Sequence, residues 1–258
     1  MKFIRNTRPS PITRSLWGAL MVASSAMFMG RLTPVWAGSA TTRPAGHSPM
    51  ATWLDQLGDS DAAVRREARY QLMGLTRDDL PALRRVVAAA APLSADQVSA
   101  LRDVVSHVYL SGEPLSDDWS NGFVGLYWPL DGLKEAVYCH DLGTPVMVRI
   151  PGMPAYRELQ VDDVILGIEG RPDVDCRYQD KFRDAIGEYQ AAQRLTLRIL
   201  RGGRQIEVNI TLSRRPAALY GVQADDLSGW IADWQLKAGV YWNREFAPLV
   251  QETLAQGS

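Results

Sequence analysis

Gly122-Phe123-Val124-Gly125-Leu126-Tyr127-Trp128 marks the point where the chain changes period. Aromatic and β-branched residues set between glycines read as a strand. The turn-forming residues Gly112, Pro114, Ser116, Asp117 and Asp118 lead into it. Downstream, strands read at Ala136–Cys139, Val146–Ile150, Val164–Glu169, Arg194–Leu200 and Gln205–Leu212, with a helix over about Tyr178–Gln190. Arg201-Gly202-Gly203-Arg204 supplies a hairpin turn between the last two strands.

Upstream of this stretch the apolar residues recur at three and four. Trp53, Leu54 and Leu57, then Val64, Ala68 and Leu72, then Leu83 and Val86, then Val98, Leu101, Val105 and Val108 give four short helices one buried stripe each. Start signals precede them: Asp59 to Asp61 before Ala62, Asp78 or Asp79 before Leu80-Pro81, and a capping box in Ser94-Ala95-Asp96-Gln97. The run Leu57-Gly58-Asp59-Ser60-Asp61-Ala62-Ala63-Val64-Arg65-Arg66-Glu67-Ala68-Arg69-Tyr70-Gln71-Leu72 resembles a HEAT-type repeat in its turn, Val-Arg pair, small residue and Leu. One or two such units bury little alone, so this block is expected to pack on the next domain. Arg65, Arg66 and Arg69 read as a solvated helix face, with an acidic partner as the other reading. Beyond Pro216, Leu227, Trp230, Ile231, Trp234 and Ala238 form a helical stripe, followed by Tyr241, Trp242, Phe246, Leu249 and Val250. A tail so rich in tryptophan is expected to dock onto the sheet or the first helices, which both need cover.

Four segments together resemble a PDZ domain of the kind attached to secreted bacterial trypsin-like proteases and their non-enzymatic relatives. They are Gly122–Leu126 at the carboxylate-loop position, Ile150-Pro151-Gly152-Met153-Pro154-Ala155-Tyr156, Leu159-Gln160-Val161-Asp162-Asp163-Val164-Ile165-Leu166-Gly167-Ile168-Glu169-Gly170, and Leu195–Gly203. The resemblance covers about 113–215. The family usually has Gly where Glu158 and Asp162 stand, so both turns must manage without a glycine's freedom.

That resemblance implies strand addition: an extended peptide pairs with Phe123–Trp128, including Phe123, Val124, Gly125, Leu126 and Tyr127, and faces the Tyr178–Gln190 helix. Backbone N–H groups around Val124, Gly125 and Leu126 would receive a terminal carboxylate. Val124 and Leu126 share a strand face, Phe182 and Ile186 a helix face, and the four would line a pocket for a terminal apolar side chain. Pro129 cannot donate to a ladder and limits the pairing edge to about Phe123–Trp128.

Residues 1–37 carry Lys2, Arg5, Arg8, Arg14 and Arg31 and no acid, then an apolar run from Leu16 to Met29 and Val35-Trp36-Ala37 before Gly38. This reads as a secretory leader, since the run is broken by Gly18, Ser24 and Ser25 and is shorter than the ~20 residues a spanning helix needs. The whole chain has a net charge of -1 and is more acidic beyond the leader, which gives no electrostatic reason to expect nucleic acid. In an oxidising compartment Cys139 and Cys176, the 2 cysteines, either join or remain two buried thiols. No Gly-x-Ser-x-Gly elbow, phosphate loop, His-Glu-x-x-His helix or Cys-x-x-Cys pair occurs, and the 3 histidines lie far apart in sequence.

The sequence therefore predicts an α+β chain with no enzyme activity, cofactor or metal. Its parts are a leader at 1–37, a linker at 38–50, HEAT-like α-hairpins at 51–112, a PDZ-like partly open β-barrel with flanking helices at 113–216, and a helical tail at 217–258. The expected role is an exported adaptor or scaffold in the periplasm or cell envelope that binds a protein or peptide ligand, with no stable membrane span once the leader is removed. The alternatives are an accessory regulator of a separate envelope protease and a structural envelope protein with a closed groove.

Overall fold

Four amphipathic helices come first in the computed structural model, which describes residues 48–90, 92–117, 121–128, 141–223 and 226–250. The leader, Pro129, the strand expected at Ala136–Cys139 and Cys139 itself lie outside the described residues. The helices are α1 (Pro49–Gln56), α2 (Ala62–Met73), α3 (Leu80–Ala89) and α4 (Ala95–Ser111). Asp61 caps α2 by accepting from the Ala63 N–H, and the α4 capping box closes in both directions between Ser94 and Gln97. The start of α3 differs from the expectation. Thr76 and Asp79 form the box, around a 3-10 turn at Arg77–Asp79, so Asp79 reaches back to satisfy the Thr76 N–H.

The strands follow as β1 (Leu126–Tyr127), β2 (Thr144–Pro145) and β3 (Val148–Arg149), then the short helix α5 (Pro154–Glu158), β4 (Val164–Ile168), α6 (Gln179–Glu188), β5 (Arg194–Arg201) and β6 (Arg204–Thr211). All pairings are antiparallel: β1 with β3, and a four-stranded sheet in the order β2-β4-β5-β6. The described strands thus form small open sheets and no closed barrel, where a partly open barrel was expected. The strand expected at Val146–Ile150 shortens to Val148–Arg149, which pairs with β1, while β2 just before it pairs with β4 on the other sheet. The β5–β6 hairpin turns through Gly202 and Gly203, both at positive φ, which matches the twist of the flanking strands.

Of the two non-glycine turns, only one needs a left-handed residue. Asp162 takes it, at φ 72°, while Glu158 simply ends α5. Next to it Asp163 is buried at 1% exposure, accepts from the Gln160 N–H at 2.7 Å, and takes both nitrogens of Arg201 at 2.8 and 2.7 Å. This ion pair ties the start of β4 to the end of β5.

Helix α7 (Leu227–Glu245) completes the fold. Its later residues Trp242 and Phe246, with Val250 beyond it, sit in the core of α1–α4 among Leu72, Leu83, Leu101 and Val105. Its earlier residues Ile231, Trp234 and Ala238 pack on Leu110, Ile150 and Met153. The Trp234 indole N–H donates to the Pro151 carbonyl at 2.8 Å. On α4, His107 is buried, stacks on Tyr156 at 5.4 Å between centroids and accepts the Gly152 N–H on Nδ1 at 3.0 Å. Burial, and then the positive charges of Arg157, Arg69 and Arg149, push its pKa down to about 3.

These placements carry two expected outcomes. Asp162→Gly removes a left-handed strain at an exposed site and is expected to raise unfolding free energy by about 0.5–1 kcal/mol, read from urea melts with an unchanged slope. His107 is neutral when folded and takes up a proton near pH 6.5 when unfolded, so its contribution is present above that pH and is lost as pH falls towards 3. Between about pH 6.5 and 5 stability should fall by roughly 1.4 kcal/mol per pH unit, a slope that His107→Gln abolishes.

Candidate functional site

The segment 121–128 is held residue by residue. Gly122 N–H donates to the Tyr189 carbonyl at 2.6 Å, just beyond α6, and Phe123 exchanges two bonds with Ser213, at 2.8 and 3.1 Å. The carbonyls of Val124 and Gly125 then accept from Ala155 and Ile150, each at 2.9 Å. Among the described residues nothing accepts from the N–H groups of Val124 and Gly125. Leu126 lies opposite Arg149, the position adjacent to the Gly125–Ile150 bond, so its N–H points away from β3. Three successive donors therefore lie on one short loop without a described acceptor.

Gly125 makes that loop. Its φ is 83°, and a Cβ there would run into the Met153 side chain. A left-handed residue within such a segment turns consecutive N–H groups towards one point, which is how backbone holds an anion. The Arg215 guanidinium lies over the Phe123 ring, 5.5 Å from its centre.

The side chains divide by strand period. Val124, Leu126 and Trp128 face the sheet core, whereas Phe123 and Tyr127 are partly buried on the other side, against the cluster that holds Trp234. Phe182 and Ile186 of α6 belong to the same cluster as Val124 and Leu126, and all four are buried, at 0–7% exposure. Trp128 belongs to the same cluster. Its ring meets Phe182 edge-on at 6.4 Å, and its indole N–H donates to the Pro145 carbonyl at 2.7 Å. Sequence reasoning passed over Trp128, although it shares the period-two register of Val124 and Leu126. Met153 was also missed, and only tertiary packing places it against Gly125. Cys176 is buried and its thiol is raised to about 11, by burial first and then by Asp175; the position of Cys139 relative to it lies outside the described residues.

Among the described residues no group of three His, Cys, Asp or Glu is placed to hold a metal ion, and no helix is long and apolar enough to cross a membrane.

No family model matches the chain. No curated protein matches it by sequence. Among solved structures it is similar to an HtrA-type protease, AlgW, with a decapeptide: 19% identity and a TM-score of 0.30 over 49% of this chain and 41% of that one. A serine-to-alanine variant of AlgW with a tripeptide gives 24% identity and a TM-score of 0.25 over 38% and 32%. The chain spans less than half the length of these proteases, and a likeness this shallow assigns neither fold nor activity.

Gly125→Ala places a methyl group against Met153 in a left-handed conformation. Unfolding free energy should fall by about 2–3 kcal/mol, measured by denaturant melts, with larger loss than at the unencumbered Gly203.

Proposed function

We propose that this chain is a non-catalytic adaptor or scaffold that binds the C-terminus of an extended polypeptide. The carboxylate sits on the N–H groups of Val124, Gly125 and Leu126, and the residues before it pair with the edge of β1 that faces away from β3. The observation that carries this reading is the run of three successive backbone donors with no described acceptor, built around positive-φ Gly125. Donors left unpaired in a folded chain cost free energy that a ligand anion recovers. Affinity comes from main chain more than from a side-chain pocket, since Val124, Leu126, Phe182 and Ile186 are already buried. Ligands should therefore end in a small residue. The leader and linker composition supports an exported setting, in the periplasm or cell envelope.

The burial of Val124, Leu126, Phe182 and Ile186 favours a second reading, a structural envelope protein whose groove is closed. A C-terminal peptide library against the whole chain separates the two. The whole chain is needed because α7 shares a core with Ile150 and Met153. Peptide binding should weaken at least about tenfold when the terminal carboxylate is amidated, the loss of one charge-assisted contact. A library with no selective binder, or binders indifferent to amidation, favours the closed-groove reading.

A further inference from the structure

The four-stranded sheet ends on β6, and the alternation of its ladder shows which groups it leaves open. The hairpin closes on Arg201 opposite Arg204, and Leu212 still donates to Gln193 at 2.9 Å. Ile206, Val208 and Ile210 therefore bond to β5, and Gln205, Glu207, Asn209 and Thr211 turn their N–H and C=O groups outward. The next outward residue, Ser213, shows what a partner does there, since Phe123 takes both its bonds. Phe123 is followed by a turn away towards α5, and no described group bonds the outward main chain from Gln205 to Thr211. That edge spans about 20 Å. It carries no proline or lysine, the usual devices that keep an edge from pairing.

The edge opens into a cleft of about 1080 Å³ between β6, α2 and α5. Charge there is unbalanced. Arg66 and Arg194 line the cleft with no carboxylate in ion-pair range among the described residues, and the buried Arg157 Nε has no hydrogen bond, with Glu158 only at 3.9 Å. Of the acids, Glu67 is bonded by Gln71 and Glu158 by Tyr70, and Glu207 alone stands without a described partner.

We propose that the open edge of β6 is a second docking site, which takes an extended polypeptide segment as an added strand whose carboxylates meet Arg66, Arg157 and Arg194. It is separate from the carboxylate loop at Val124–Leu126 and needs no chain terminus.

The test uses the whole chain and a short fluorescent peptide that alternates valine with glutamate, acetylated and amidated so that it has no terminal carboxylate. Three changes are each expected to weaken binding at least about tenfold: N-methylation of alternate peptide nitrogens in the probe, replacement of its glutamates by lysine, and the pair Arg66→Glu with Arg194→Glu. Glu207→Pro removes one outward N–H without touching the β5 ladder and should act like N-methylation. The N-methylated probe reports on the unaltered protein should that variant fold poorly. Absence of binding overturns the proposal. So does binding that ignores N-methylation, which makes the cleft a diffuse cationic surface, or binding that ignores the lysine replacement, which removes the charge argument.

Discussion

The turn Ile150-Pro151-Gly152-Met153 is gripped from three sides, and the rest of the molecule depends on that grip. From α4, His107 accepts the Gly152 N–H; from α7, Trp234 donates to the Pro151 carbonyl; from the candidate site, Gly125 offers its carbonyl to the Ile150 N–H and packs its bare Cα against Met153. Gly152 itself sits at φ 86°, close against the backbone of Leu110, which no side chain would allow. A buried hydrogen-bonded junction of this kind is costly to leave half-made, so its three partners fold as one unit. This explains why the helices, the sheet and the tail are not independent blocks. The described residues form a single compact body.

Helix α7 is the second consequence of the same shortage of core. Four short helices and a small open sheet each bury too little surface to stand alone. A single stripe, Trp234, Ala238, Trp242, Phe246 and Val250 at intervals of four, fills the gap in both. Because Trp234 and Met153 belong to the same cluster, α7 also fixes the height at which Gly125 lies. A tail about 110 residues further along the chain thus packs on the turn that Gly125 contacts.

Much of this was legible in the sequence, for local reasons. The β5–β6 hairpin was legible because paired glycines and period-two strands admit one turn geometry, and α4 was legible because Ser94 and Gln97 satisfy each other's donors wherever they are placed. α6 came out as Gln179–Glu188, inside the expected span, since its stripe of Phe182, Ala185 and Ile186 is helical at any register. What failed was set by partners distant in sequence. The strand expected at Phe123–Trp128 shrinks to Leu126–Tyr127 because its earlier carbonyls bond a helix start and a turn, Ala155 and Ile150, and not a strand. Val124, Leu126, Phe182 and Ile186 share one buried cluster with Trp128, whose indole is held by the Pro145 carbonyl that only the tertiary fold brings to it.

The two candidate sites share one cause. An antiparallel sheet always has two edges, and closing it into a barrel is the only complete way to remove them. Here the sheets stay open. Among the described residues β1 has a partner on one side only, and β6 is bridged by Phe123 at Ser213 with no main-chain partner from Thr211 back to Gln205. Phe123 is therefore the residue that both edges share: its bond to Ser213 stops a partner on β6 from extending further, and the same bond orients the Val124–Leu126 donors.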